Sequence, residues 1–125
     1  MTPSATVVFV AHGSRAVEAN DAHRAAAAAL AAETGATVVP AYLELADPSI
    51  PDAIVGAVDA GASRIVVLPL FLYPGRHVQR DIPELVAEAQ ERRPGATVEL
   101  LEPFGADPAL VEVLAGQVRR GLGEV

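Results

Sequence analysis

A chain of 125 residues with net charge −7, no cysteine and nine basic residues that are all arginine excludes several functions at once. Thiol catalysis, disulfides and zinc ribbons need cysteine, so any metal must be held by His, Asp or Glu. Nucleic-acid binding needs a basic stripe that this acidic chain lacks. The length predicts one domain, residues 1–125, large enough for a real core. Hydrophobic residues make up 51% of the chain and aromatic ones only 4%, so the core must be built from small aliphatic side chains packed closely, as helix-on-sheet layers allow. Met1 to Ser4 lead into an apolar run without the charged region and cleavage site of a leader. The alanine-rich run Ala25 to Ala32 is too short to span a membrane. A soluble cytoplasmic protein, with neither membrane nor nucleic acid as partner, is expected.

Ala5 to Ala11 is a continuous apolar run, as expected of a strand covered on both faces. It stops at His12-Gly13-Ser14-Arg15. A helix is predicted from Val17 to Glu33, ended by Gly35, with Ala19, Ala26, Ala27 and Leu30 on its inward face. A second strand, Thr37 to Leu43, leads into Glu44. Ser49 then caps a helix from Ile50 to Ala60, with Pro51 in the first turn, where proline costs little. The third strand, Arg64 to Leu68, enters the stretch P-L-F-L-Y-P-G-R-H-V-Q-R-D-I-P, Pro69 to Pro83. Here the chain is expected to break at Pro74-Gly75 and to hold His77 in a loop between Arg76 and Arg80. Asp81 then reads as an N-cap, with Glu84 completing a capping box and a helix from Ile82 to Arg92. A fourth strand, Thr97 to Leu101, and a last helix, capped by Asp107 and begun by Pro108, complete the chain. Four β-α units with short connections predict an α/β fold: a four-stranded parallel sheet with helices on both faces, a flavodoxin-like three-layer domain.

In such a sheet, ligands bind outside the carboxyl ends of the strands. His12 follows the first strand, Glu44 the second and His77 the third, so topology delivers three polar groups to one rim. Two imidazoles and a carboxylate suit Co²⁺, Fe²⁺, Ni²⁺ or Zn²⁺ and leave coordination positions open. Taken singly, each group has a plainer reading. His12 could be a hydrogen-bonding loop residue, Glu44 a solvated carboxylate or helix-dipole partner, and His77 part of an anion site. His23 reads as packing. Arg24, Arg92, Arg93, Arg119 and Arg120 read as solvated helix faces, and Asp47 and Asp52 as turn and helix-start residues. Arg15, Arg76 and Arg80 lie within four residues of His12 or His77, a positive mouth for carboxylates or phosphates.

The segments V-A-H-G-S-R, Y-L-E-L-A-D-P-S-I-P-D-A-I and P-L-F-L-Y-P-G-R-H-V-Q-R-D-I-P together resemble the sirohydrochlorin chelatase family, in the family's order and over essentially the whole chain. The length is similar to the short form of these class II chelatases. The resemblance implies an enzyme that inserts a divalent metal, cobalt, iron or nickel, into the polycarboxylate sirohydrochlorin without ATP and without an organic cofactor, in cobalamin or siroheme biosynthesis. It places the metal ligands and catalytic groups on His12, Glu44 and His77. Ala11 and Arg76 depart from the family pattern beside the two histidines, and the second bears on how substrate carboxylates are held. Those carboxylates would be anchored by Arg15, Arg76 and Arg80 and by backbone N–H groups around Gly13 and Ser14. The macrocycle is broad against the rim of one small sheet, so a homodimer with opposed rims is expected. The competing readings are a non-catalytic metal or tetrapyrrole carrier, a histidine phosphatase and a flavodoxin-type module. His12 lacks the preceding arginine of the second, and H-G-S-R lacks the glycine-rich cradle of the third.

Overall fold

A computed structural model describes residues 5–73 and 75–124, without the side chain of His77. The expected break at Pro74 lies outside the described residues. The elements run β1 (Ala5–Ala11), α1 (Val17–Thr34), β2 (Thr37–Tyr42), α2 (Ile50–Asp59), β3 (Arg64–Pro69), α3 (Arg76–Arg92), β4 (Thr97–Leu100), a 3₁₀ turn η1 (Phe104–Ala106) and α4 (Ala109–Gly121). The strands are parallel in the order β2-β1-β3-β4. This is the expected α/β architecture.

Strand periodicity assigns the two faces. Val8, Val10, Ile65 and Val67 alternate onto one face and are buried with Ile50, Ile54, Val78 and Ile82 from α2 and α3. Each fully buried aliphatic side chain contributes about 1.5–3 kcal/mol, so this layer dominates the core. Phe9 points the other way, under α1, where its ring stacks on His23 at 4.5 Å between centroids. Arg93 clamps α3 to α2 through a two-pronged contact with Asp59 at 2.8 and 2.9 Å, which holds that carboxyl below its ordinary pKa. Arg92 adds a contact to Asp52 at 3.2 Å. The helix-face arginines 92 and 93 thus tie α3 to α2 instead of being merely solvated.

Helix ends follow the residues expected to make them. Gly35 ends α1 at φ 75°, and the Ser49 side chain accepts from the Asp52 N–H at 3.2 Å. Asp107 accepts from the Ala109 N–H at 2.9 Å. Two of the helix expectations fail. First, α3 starts at Arg76 with Gly75 as N-cap, so Asp81 and Glu84 lie inside the helix and form no capping box. The apolar series Val78, Ile82, Val86, Ala89 explains this: its helical spacing runs straight through Pro83 and is buried throughout. Pro83 removes one ladder donor, but the burial on either side outweighs that loss. Second, Ala19 is exposed, and its neighbour Asn20 takes the inward position. The last helix, α4, has no buried residue.

Candidate functional site

Register brings the strand ends level. Ala11, the last residue of β1, pairs with Tyr42, the last of β2, and Val10 pairs with Pro69, the last of β3. Pairing persists past the strands: the Leu43 N–H donates to the Ala11 carbonyl at 2.9 Å and the Glu44 N–H to the His12 carbonyl at 3.0 Å. His12 and Glu44 are therefore neighbours across the rim. His12 Nε2 stands 3.4 Å from Glu44 Oε1 with both side chains about half exposed. The other ring nitrogen, Nδ1, is 3.1 Å from the Gly13 carbonyl. Nδ1–H donating there would leave Nε2 to share a cation with the carboxylate.

The backbone beneath this pair needs unusual residues. Gly13 has φ 96°, and a Cβ there would collide with the Glu44 carbonyl oxygen. Only glycine allows the first loop to pass so close to the second. Leu45 follows Glu44 at φ 66°, a left-handed conformation that costs a non-glycine residue energy.

Asn20 fixes the rest of the first loop, a role the sequence reading missed. Its Oδ1 accepts from the Ser14 N–H at 3.0 Å and its Nδ2 donates to the Ser14 carbonyl at 2.7 Å. The Tyr42 hydroxyl in turn donates to the Asn20 carbonyl at 2.8 Å. An asparagine in an alanine-rich helix was the available signal, because asparagine is poorly placed in a helix interior unless its amide has work elsewhere. The Ser14 N–H is thus already used. The Ser14 oxygen accepts from the Ala16 N–H at 3.0 Å, leaving its hydroxyl hydrogen to donate.

His77 is in the first turn of α3, not in a loop. Its side chain lies outside the described residues. A crevice of about 270 Å³ is lined by Leu43, Glu44, Asp81, Glu84 and Leu85, so the middle of α3 abuts the rim at Glu44. Position 77 precedes Asp81 by four residues and Glu84 by seven, the spacing of one helix face. Among the described residues no three His, Asp or Glu side chains stand close enough together to hold a metal ion. His12 and Glu44 form a pair, and position 77 is on the element beside them. Arg15 and Arg76 are exposed. Arg80 is exposed with its Nε 3.6 Å from Glu84, a weak pair that leaves its head free to turn.

His23 behaves as packing. It is buried, its Nε2 is 2.9 Å from the Phe9 carbonyl, and Nδ1 has no hydrogen-bond partner. Burial pushes its pKa down most strongly, the Phe9 and Ala41 carbonyls act against that, and Arg24 adds to the lowering. No described helix is long and apolar enough to cross a membrane.

The CbiX family model matches residues 6–121. The chain is 38% identical over 120 residues to the chloroplastic sirohydrochlorin ferrochelatase of Arabidopsis thaliana, covering 95% of this chain and 53% of that one. It is 31% identical over 108 residues to the sirohydrochlorin cobaltochelatase of Methanopyrus kandleri, covering 70% of this chain and 76% of the relative. A solved structure, a cobalamin (vitamin B12) biosynthesis CbiX protein from Marinobacter aquaeolei, superposes with a TM-score of 0.83 at 28% identity over 95% of this chain and 98% of that one. The chain spans about half the length of the plant relative and nearly all of the Marinobacter protein. A match over this span, with this sheet order, means that the chain belongs to the CbiX family of sirohydrochlorin chelatases.

Proposed function

We propose that this protein inserts a divalent cation into sirohydrochlorin, with His12, Glu44 and His77 holding the metal. The observation that carries the reading is the close approach of the His12 ring and the Glu44 carboxylate at the level strand ends of a CbiX-family fold. Imidazole and carboxylate both suit cobalt and iron, the metals in the relatives' names, and ligand type does not select between them or exclude nickel. Three protein ligands leave sites open for the macrocycle nitrogens to replace water. The acidic crevice of Glu44, Asp81 and Glu84 concentrates cations at the rim.

Metal insertion releases two protons from pyrrole nitrogens. The Glu44 carboxylate and the imidazoles are the bases within the rim, and a base accepts such a proton best with a pKa near working pH. Nucleotide hydrolysis is not needed, because forming four metal–nitrogen bonds drives the exchange. Arg15, Arg76 and Arg80 would hold the substrate's carboxylates together with Gly13 and the Ser14 hydroxyl, the Ser14 N–H being taken by Asn20. A homodimer with opposed rims would enclose the second face of the macrocycle.

The test is the visible spectrum of sirohydrochlorin with limiting protein and excess Co²⁺, then Fe²⁺ and Ni²⁺. Conversion well beyond one equivalent of protein, faster than the protein-free control, is the expected result. Conversion that stops at one equivalent would make the protein a carrier.

A further inference from the structure

Leu45, the residue after Glu44, carries two costs at once. Its backbone is left-handed at φ 66°, where a leucine is strained. Its side chain is also 54% exposed, so the strain secures no burial in the core. An exposed leucine alone is ordinary, but one held in a strained backbone beside a functional group points to a use beyond the fold. Glycine or asparagine would satisfy the same turn with less strain.

The turn is over-determined by its surroundings. The Tyr42 N–H donates to the Pro48 carbonyl at 2.9 Å, which closes the excursion 43–47, and the Glu44 N–H donates to the His12 carbonyl at 3.0 Å. Leu45 is therefore fixed in the middle of a clasped loop, one residue from the carboxylate that faces His12. A second apolar feature stands across the pair. In the strand order β2-β1-β3-β4, His12 leaves β1, Leu45 follows β2 on one side, and Leu72 and Tyr73 follow β3 on the other. Leu72 and Tyr73 are 49% and 80% exposed. Their loop is pinned as well: the Gly105 N–H donates to the Phe71 carbonyl at 2.8 Å and the Gly75 N–H to the Tyr73 carbonyl at 3.0 Å. Strands β2 and β3 lie two spacings apart, about 9.5 Å.

We propose that Leu45 on one side, and Leu72 with Tyr73 on the other, form an apolar ledge for the face of the tetrapyrrole ring, with Leu45 setting its height over His12 and Glu44. The inference rests on the reading above that sirohydrochlorin is the substrate, and adds what its ring rests on. A polycarboxylate tetrapyrrole is charged at its edge and apolar on its face. Arginines can hold the edge, but only carbon covers the face without leaving a polar group unpaired. Metal transfer needs the ring nitrogens to stand over the cation at a set height. Contact between leucine and ring carbons at about 3.5–4.0 Å fixes that height and offers no competing ligand. The clasped turn presents the side chain before the substrate arrives, so binding does not have to order it.

The experiment titrates metal-free sirohydrochlorin, by its fluorescence, into the natural chain and into Leu45→Ala, Leu45→Asn and Leu45→Met. A urea midpoint, a Co²⁺ titration and a sedimentation run accompany each. Asparagine suits a left-handed backbone, so Leu45→Asn should hold or raise the urea midpoint while weakening sirohydrochlorin binding about tenfold. Leu45→Ala should weaken binding likewise, and Leu45→Met should lie closest to the natural chain. Co²⁺ affinity of the protein alone should not change. Unaltered sirohydrochlorin binding in Leu45→Ala and Leu45→Asn would mean that the ring does not touch Leu45, and would overturn the ledge. A Co²⁺ affinity that falls in step would make Leu45 a prop for Glu44 and overturn it too. A changed sedimentation coefficient would do the same, because a second copy of the chain would then cover the leucine. In each of these cases the natural chain still binds sirohydrochlorin. A natural chain that does not bind it overturns the substrate reading, and the ledge with it.

Discussion

His12 and Glu44 face each other at 3.4 Å because the β1–β2 hydrogen-bond ladder runs two residues beyond the strands, ending with the Glu44 N–H on the His12 carbonyl. As an exposed ion pair this contact would contribute little to stability. As two ligands of one cation it should act as a unit. His12→Ala and Glu44→Ala are each expected to weaken Co²⁺ binding, and the double variant to lose less than the sum of the two in free energy. Cobalt absorption titrations on the three variants check this; strict additivity would mean that the residues do not share a metal.

The Gly13 turn underlies that pair. Gly13→Ala places a Cβ against the Glu44 carbonyl and strains a backbone at φ 96°. The cost is expected to exceed the roughly 1–2 kcal/mol of a left-handed residue alone. Gly35→Ala is the control, since φ there is 75° but nothing lies within 4 Å of the added methyl. Urea midpoints should fall further for Gly13→Ala, and only that variant should also lose metal binding.

Asn20→Ala removes both hydrogen bonds to Ser14 and leaves the buried Tyr42 hydroxyl its backbone acceptor. Two part-buried backbone groups then lack partners, at about 1–3 kcal/mol each. A lower melting temperature is expected. Weaker Co²⁺ binding should accompany it at a temperature where the variant is fully folded, because the His12 loop is no longer held.

His23 titrates against the fold. Its folded pKa lies below the ordinary imidazole value of about 6.5, so the unfolded chain binds the proton more readily. Stability from this residue is therefore full above about pH 6.5 and is lost as pH falls through that value toward the folded pKa. Charging the ring also places a cation beside Arg24. Denaturation midpoints across this range should decline with acidity, and less steeply in His23→Gln.

The sequence reading captured what periodicity and punctuation encode. Buried parallel strands show as unbroken apolar runs, Gly35 and Ser49 mark helix ends by their backbone and capping chemistry, and β-α alternation leaves few topologies. From these, His12 and Glu44 could be placed on one rim. The start of α3 was misread because Asp81 and Pro83 imitate a helix start, while Val78, on the earlier turn, is buried with Ile82 only in the folded molecule. Asn20 stood out only as an asparagine in an alanine-rich helix: its partners at Ser14 and Tyr42 belong to other elements, so the sequence does not say what it holds.

The most direct measurement is the initial rate of Co²⁺ insertion into sirohydrochlorin by the natural protein and by Glu44→Gln, each against a protein-free control. Glu44→Gln keeps the size and shape of the side chain while removing its charge and basicity. The natural protein should turn over many equivalents, and the variant should be slower by about 10²-fold or more with its circular dichroism unchanged. Equal rates for the two proteins would contradict the assignment of the His12–Glu44 rim as the site of metal insertion.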